Sequence, residues 1–366
     1  MKIALITDIH YGVRNDNLIF TDNHKKFLDD VFFPTLKEHQ IEIVVCLGDL
    51  LDRRKYINYY TAHRLRTDFI FPLMMQGKHF HWILGNHDIY WRNTTDVNAA
   101  EELLGAYPDF MRGQDAGSFN IHKDPFEMVF GDWDNHRSAP KMLFLPWICD
   151  SNRKQTYELI NKTDAKIVFG HLELEGFEMY KGIVQHHGIS RDIFKKFDMV
   201  CSGHYHHRST DGRIFYLGAC GEYTWADYND SRGFHLFDCD TSLLTFYPNP
   251  YSLFVKVFYD DAKDETNETD FSQLHGKIVK VIVKSRTNSD MYNTFMARCE
   301  AAQPSELMVV EDHLNLDMIN DEHIVSETKD TLTIIREFIS QTNNMVDSTK
   351  LDDLIVDLYQ EANSLN

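Results

Sequence analysis

The sequence predicts an α/β layered fold, on two observations. Short apolar, β-branched runs alternate with stretches of helical character, and five of those runs end in residues of the kind that bind metal ions. The first run, Lys2 to Ile6, leads into Asp8. The second, Ile41 to Leu47, ends at Gly48-Asp49. The third, Phe80 to Leu84, ends at Gly85-Asn86-His87-Asp88. Lys166 to Phe169 ends at Gly170-His171, and Asp198 to Cys201 runs into Gly203-His204. Helical stretches around residues 22–39 and 58–76 separate the first three. In α/β sheets, ligand sites lie at the carboxyl ends of strands. One Asp or His there is ordinarily a turn residue; five in succession are not explained that way.

After about residue 245 the texture changes. Tyr247-Pro248-Asn249-Pro250 breaks the pattern. Ser252 to Tyr259 and Lys277 to Ser285 read as strands, 288–302 as a helix, and Leu307 to Val310 as a further strand. The organisation expected is a core over 1–248, a small α+β domain over 249–312, an acidic linker over 313–329 and a helical segment over 330–366. In that last segment Leu332, Ile335, Phe338 and Ile339 share one helical face, and Leu351, Leu354, Ile355 and Leu358 another, after a Ser348 cap. Such a pair either packs back on the core or docks on another protein's helices.

Composition narrows the function. The net charge is -19, of which residues 257–366, with 22 acidic and 9 basic side chains, carry -13. That argues against a lone, tight DNA-binding module, which would be basic, but not against an enzyme that meets nucleic acid through metal ions and a basic partner. The six cysteines are scattered without CxxC pairs, as in reduced cytosolic proteins. No apolar run approaches the roughly 20 residues that span a bilayer, and the N-terminus lacks a signal-peptide layout. A cytoplasmic protein is expected, in the host cell's cytoplasm if the source is a virus.

The chemistry-bearing residues are Asp8-Ile9-His10, Gly48-Asp49-Leu50-Leu51-Asp52-Arg53, Gly85-Asn86-His87-Asp88, Gly170-His171 and Gly203-His204-Tyr205-His206. All the donors are oxygen or imidazole nitrogen, a set suited to Mn2+, Fe2+ or Zn2+ rather than a soft metal. In extended chain, residues i and i+2 project to one side, so Asp8 with His10, and His204 with His206, reach into one cluster. Two ions roughly 3.5–4 Å apart need a bridging carboxylate, and Asp49 is the natural one. Each preceding glycine is read as permitting a sharp turn and leaving room for a substrate phosphate.

The order DxH, GDxxD, GNHD, GH, GHxH resembles the calcineurin-like metallophosphoesterase superfamily. Within it the chain is similar to the Mre/SbcD recombination nucleases, and most of all to their tailed-phage version, through Leu145-Pro146-Trp147, the His171–Gly182 segment and the order of core, cap and terminal helices. The resemblance implies a four-layer α/β/β/α sandwich. It implies one metal on Asp8, His10, Asp49 and His206, and a second on Asp49, Asn86, His171 and His204. His87 would face the scissile phosphate, with Asp88 orienting it through a hydrogen bond. Mn2+ is the expected ion, with Mg2+ as the alternative.

The resemblance also implies a DNA nuclease subunit that works with an SMC-like, ABC-type coiled-coil ATPase in double-strand-break repair, recombination and recombination-dependent replication. It implies a homodimer through helices near 58–76 and 95–106, where Tyr59, Tyr60, Phe69, Phe71, Leu73 and Met74 serve either the dimer or the core. The terminal helices would grip the ATPase and the small domain would cap the DNA. Asp52-Arg53 departs from many of the nucleases and is shared with serine/threonine phosphatases. Arg53, Arg54 and Lys55 either touch the DNA backbone or, for Arg53, pair with an acid. The competing activity is a protein phosphatase or cyclic-nucleotide phosphodiesterase, since the ligands are common to all.

Overall fold

A computed structural model describes residues 1–105, 117–132, 137–138, 140–263 and 269–311. The chain divides into two units, Met1–Asn315 and Leu316–Asn366. The second unit, and with it the acidic linker and the two terminal helical faces, lies outside the described residues.

The five apolar runs are all strands. Lys2–Ile6, Ile43–Cys46 and His79–Ile83 lie parallel and adjacent in a six-stranded sheet, with Phe119–His122 parallel on one edge. Gly233–Asp238 and Leu243–Pro248 join antiparallel on the other. Ile167–His171 and Met199–Gly203 are the parallel centre of a second six-stranded sheet, flanked by Met142–Leu145 and Ile214–Tyr216. Strands buried on both faces need to be apolar throughout, which is why these read as continuous runs.

The two sheets pack face to face. Ile3, Leu5, Val45, Phe144, Phe169, Cys201 and Phe237 fill the space between them. The outer face of the first sheet is covered by two long helical segments through Phe27, Phe32, Leu36, Leu65, Phe69 and Leu73. The outer face of the second is covered by helix Arg153–Lys162 and the loops around Phe194, through Ile160, Phe197 and Tyr205. This is the four-layer α/β/β/α sandwich that the family resemblance implies.

Each long helical segment carries a π turn, Leu28–Phe32 and Leu65–Ile70, directly before a Phe-Pro pair. Phe33 N–H reaches back five residues to the Leu28 carbonyl, and Phe71 N–H to that of Arg66. Proline lacks an N–H and its ring crowds the carbonyl four residues back; a widened turn relieves both without ending the helix.

The segment after residue 250 has its own sheet: Phe254–Asp260, Ile278–Ser285 and Glu306–Glu311, with helix Ser289–Ala301 packed on one face through Phe295 and Cys299. All three strands are parallel, so the arrangement is α/β and not the α+β expected; the helix serves as the crossover that parallel strands require. It meets the core through Phe20, Tyr223, Phe254 and Ile278. Lys256 and Lys280 reach over the rings of Tyr228 and Trp225 at 4.9 and 4.2 Å.

Of the residues proposed for a dimer contact, Phe69, Leu73 and Met74 are core. Tyr59 and Tyr60 are exposed on helix Tyr59–Arg64, and Phe71 is exposed beyond the π turn. No described helix is long and apolar enough to cross a membrane.

Candidate metal centre

All seven predicted ligands converge where the carboxyl ends of the two sheets meet. Asp8, His10, Asp49 and Asn86 follow strands of the first sheet; His171, His204 and His206 come from the second. Six of them fall into two groups whose donor atoms are mutually close, Asp8 with His10 and His206, and Asp49 with His171 and His204. His10 Nε2 lies 3.0 Å from His206 Nε2, and 3.9 Å from both Asp8 Oδ1 and Asp49 Oδ2. Asp49 Oδ2 is also 3.3 Å from His171 Nε2. Asp49 thus reaches toward a histidine of each group.

The backbone is bent to achieve this. Asp8, His10, Asp49 and His204 have φ values of 51°, 52°, 51° and 89°, left-handed conformations uncommon outside glycine. Strain of this kind persists where surrounding structure over-determines it, and it clusters at functional sites. Asp8 N–H donates to Gly48 O and His10 N–H to Asp49 O, while His204 N–H donates to the Asp8 carboxylate. The glycines act differently from expectation. A Cβ on Gly48 would lie 2.4 Å from His171 Nδ1, and one on Gly203 would lie 2.1 Å from Thr7 Oγ1 and 2.9 Å from the Asp8 carboxylate. The space they leave belongs to the ligand side chains and their supports, not to a substrate phosphate.

The donor chemistry fits cations. His171 Nδ1 donates to Leu47 O at 2.7 Å, which points the Nε2 lone pair inward. The Asn86 oxygen faces that nitrogen at 3.0 Å, His204 Nδ1 at 2.9 Å and Asp49 Oδ2 at 3.2 Å, while its NH2 faces the Arg54 guanidinium. Turned round, the amide would hydrogen-bond to every one of these neighbours. With the oxygen inward, Asn86 instead adds an oxygen donor to the group formed by Asp49, His171 and His204. The titration behaviour agrees. Burial pushes the Asp8 carboxyl up, with Asp49 adding to the shift and His171 opposing it. Burial would raise Asp49 too, but His171 and His87 hold it well below the ordinary range. Burial works against charge on His171, yet Asp49 carries it up to about 9. Protonated imidazole is compensating buried carboxylate, a task that divalent cations perform when bound.

His87 and Asp88 lie in separate surroundings, and those of Asp88 differ from the expectation. His87 is half-buried beside the cluster, its ring 4.9 Å from that of His10, and its Nδ1 is hydrogen-bonded to the Asp52 carbonyl. Asp88 does not orient it. The Asp88 carboxylate accepts from the N–H groups of Asp49, Gly85 and Leu51 and from Trp82 Nε1, at 2.9–3.2 Å. It pins the GDLLD loop to the GNHD loop, and so holds Asp49 in place. Burial and the neighbouring Asp49 push its carboxyl up to about 6.

Arg53 pairs with Asp16 at 2.7 Å and bonds to the Gly12 carbonyl, so its guanidinium serves the core. Arg54 is the member of the triplet that reaches the centre, 3.2 Å from Asn86. Lys55 is exposed.

Three supports escape sequence reasoning. Tyr223 donates its hydroxyl to the carbonyls of Asp8 and Ile9 and packs its ring against His10 and His206. Arg232, buried against Asp227 and Asp230, bonds to the His206 carbonyl. Asp52 extends a carboxylate oxygen to 3.4 Å from His10 Nδ1. The first two carry no local motif; Asp52 sat in the GDLLD motif without an assigned role.

This fold with this donor set defines a metal-dependent phosphoesterase, and the calcineurin-like phosphoesterase family model matches residues 1–208; the chain belongs to that family. Within it the whole chain aligns with named nucleases. It is 28% identical to exonuclease subunit 1 of Enterobacteria phage T4, over 99% of both chains. It is 24% identical to the SbcD subunit of the SbcCD nuclease of Staphylococcus epidermidis, over 95% of this chain and 94% of that one, and 22% identical to its counterpart in Staphylococcus saprophyticus, over 91% and 93%.

Proposed function

We propose that the chain is the nuclease subunit of a complex with an SMC-like ATPase, hydrolysing DNA phosphodiester bonds with two divalent cations, Mn2+ foremost, in break repair, recombination and recombination-dependent replication. The observation that carries the reaction is the double cluster sharing Asp49. Its substrate class rests on the full-length similarity to nuclease subunits of phage and bacteria.

Asp8, His10, Asp49 and His206 would hold one ion, and Asp49, Asn86, His171 and His204 the other. Bound there, the ions supply hydroxide near neutral pH and positive charge for the phosphate oxygens. Asp88, Tyr223 and Arg232 hold the ligands in register. Anchoring of His87 Nδ1 on the Asp52 carbonyl makes Nε2 the nitrogen that meets the phosphate or protonates the leaving oxygen. Arg54, already beside Asn86, is the cation placed to touch the strand.

The decisive experiment incubates the Mn2+-loaded protein, with and without its co-purifying ATPase, with linear duplex DNA, single-stranded DNA and a phosphopeptide. DNA degradation is expected. Phosphopeptide turnover with no DNA degradation in either condition rejects the reading. Deleting residues 330–366 is expected to spare basal hydrolysis and abolish ATPase co-purification; retained co-purification would remove the docking role from the terminal helices.

A further inference from the structure

Beside the metal centre lies a cavity of about 290 Å3 that the chemistry above does not use. Its walls include His171, Trp147, Arg92, Arg153, Asp150 and Glu173. The Trp147 ring stands 5.0 Å from that of His204 and 6.0 Å from that of His171. A phosphodiester held at the centre would therefore bring an ester substituent within reach of this cavity. Trp147 is fixed there, because its backbone N–H donates to the Leu84 carbonyl just before the GNHD loop. The opposite wall is braced by Ile189 N–H donating to the Glu173 carbonyl.

We infer that this cavity is the subsite for an unpaired nucleobase, the one borne by the nucleotide adjoining the scissile phosphate. The inference rests on the nuclease reading above. A second phosphate is a poor occupant, because the two arginines are offset by two carboxylates and Arg153 already lies 3.4 Å from Asp150. An indole face with both donors and acceptors around it suits a flat, neutral, hydrogen-bonding ring. The volume sits at the small end for ligand sites, enough for one nucleoside and not for a base pair. A base must leave its stack to enter, which costs least at single-stranded or mismatched ends. The enzyme therefore cuts frayed or single-stranded ends faster than fully paired ones.

The test uses the full Mn2+-loaded chain. Substrates are a single-stranded oligonucleotide, the same strand with an abasic residue at each end in turn, and bis(p-nitrophenyl) phosphate. Removing the base at the attacked end should raise KM about tenfold, the scale of one base–aromatic stack. Trp147→Ala and Glu173→Gln should each shrink that normal-to-abasic ratio toward one. The Glu173→Gln variant lies off the ring that touches His204, so it reads the pocket even if Trp147→Ala disturbs folding. Equal KM for normal and abasic ends, or a ratio that survives both substitutions, overturns the assignment. A native enzyme that hydrolyses bis(p-nitrophenyl) phosphate but leaves every DNA intact rejects the nuclease reading, and the subsite with it.

Discussion

His87 and Asp88 are adjacent, and the structure gives them separate tasks that mutation separates. His87 Nδ1 faces a carbonyl, and its ring lies against the cluster. His87→Ser is expected to abolish cleavage while bound metal, measured by atomic absorption, stays near the parent value. Asp88 satisfies four N–H donors, from two loops and from strand His79–Ile83. Asp88→Asn leaves at least one of those donors facing an NH2 group, at a cost of about 1–3 kcal/mol. Its loss of activity should follow its loss of metal and of thermal stability. An Asp88→Asn protein with full metal content, parental stability and no cleavage would return Asp88 to the role of orienting His87. The residues that converge at the candidate centre were legible because metal chemistry restricts residue type and the strand ends set their spacing. The role of Asp88 was not, because its partners Asp49 and Leu51 lie almost 40 residues away, and only the fold brings them into range. Tyr223 is harder still, reaching Asp8 across 215 residues of chain with no motif around it.

Strands are where the sequence was most readable, because burial on both faces requires uninterrupted apolar runs. Among the strands not anticipated, Gly233–Asp238 and Leu243–Pro248 pair antiparallel at the sheet edge; in the first, His235 interrupts the apolar run, and in the second no residue is buried, whereas Met142–Leu145 is apolar and buried throughout but leads into no metal-type residue. The same edge logic places polar residues at the far side, where His81 on strand His79–Ile83 stacks on His122 of strand Phe119–His122. Burial lowers His81 to about 3 and His122 to about 4. The folded state keeps both neutral where the unfolded chain, with histidines near 6.5, takes up protons. Their contribution is therefore complete above pH 6.5 and is lost as pH falls toward 4 and below. For His81 alone the loss between pH 7 and pH 5 is about 2 kcal/mol. His81→Phe should lessen the drop in urea-unfolding stability across that interval by a comparable amount. An identical drop in variant and parent would show that His81 titrates as an exposed histidine.

The metal centre is also a seam of the whole sandwich. Four of the seven expected ligands hang from one sheet and three from the other, so cations bound there would cross-link two layers that are otherwise joined by apolar packing through residues such as Leu5, Phe144 and Phe169. Without cations, the buried Asp49 carboxylate relies on the protonated His171 imidazole for compensation. A ligand that binds only the folded state adds about 4 kcal/mol at a thousandfold excess over its Kd. For a domain of this size that corresponds to roughly 6 °C in the thermal midpoint. Exhaustive chelation should lower the midpoint by that order, and Mn2+ should restore it. Asn86→Ala should narrow the difference, because it removes the oxygen that faces His171, His204 and Asp49 together. Arg53→Ala, whose side chain is engaged with Asp16, should lower both midpoints equally and leave the metal-dependent difference intact. If chelation leaves the parent's midpoint where it was, the cations do not bridge the sheets, and the seven side chains hold at most a weakly bound ion.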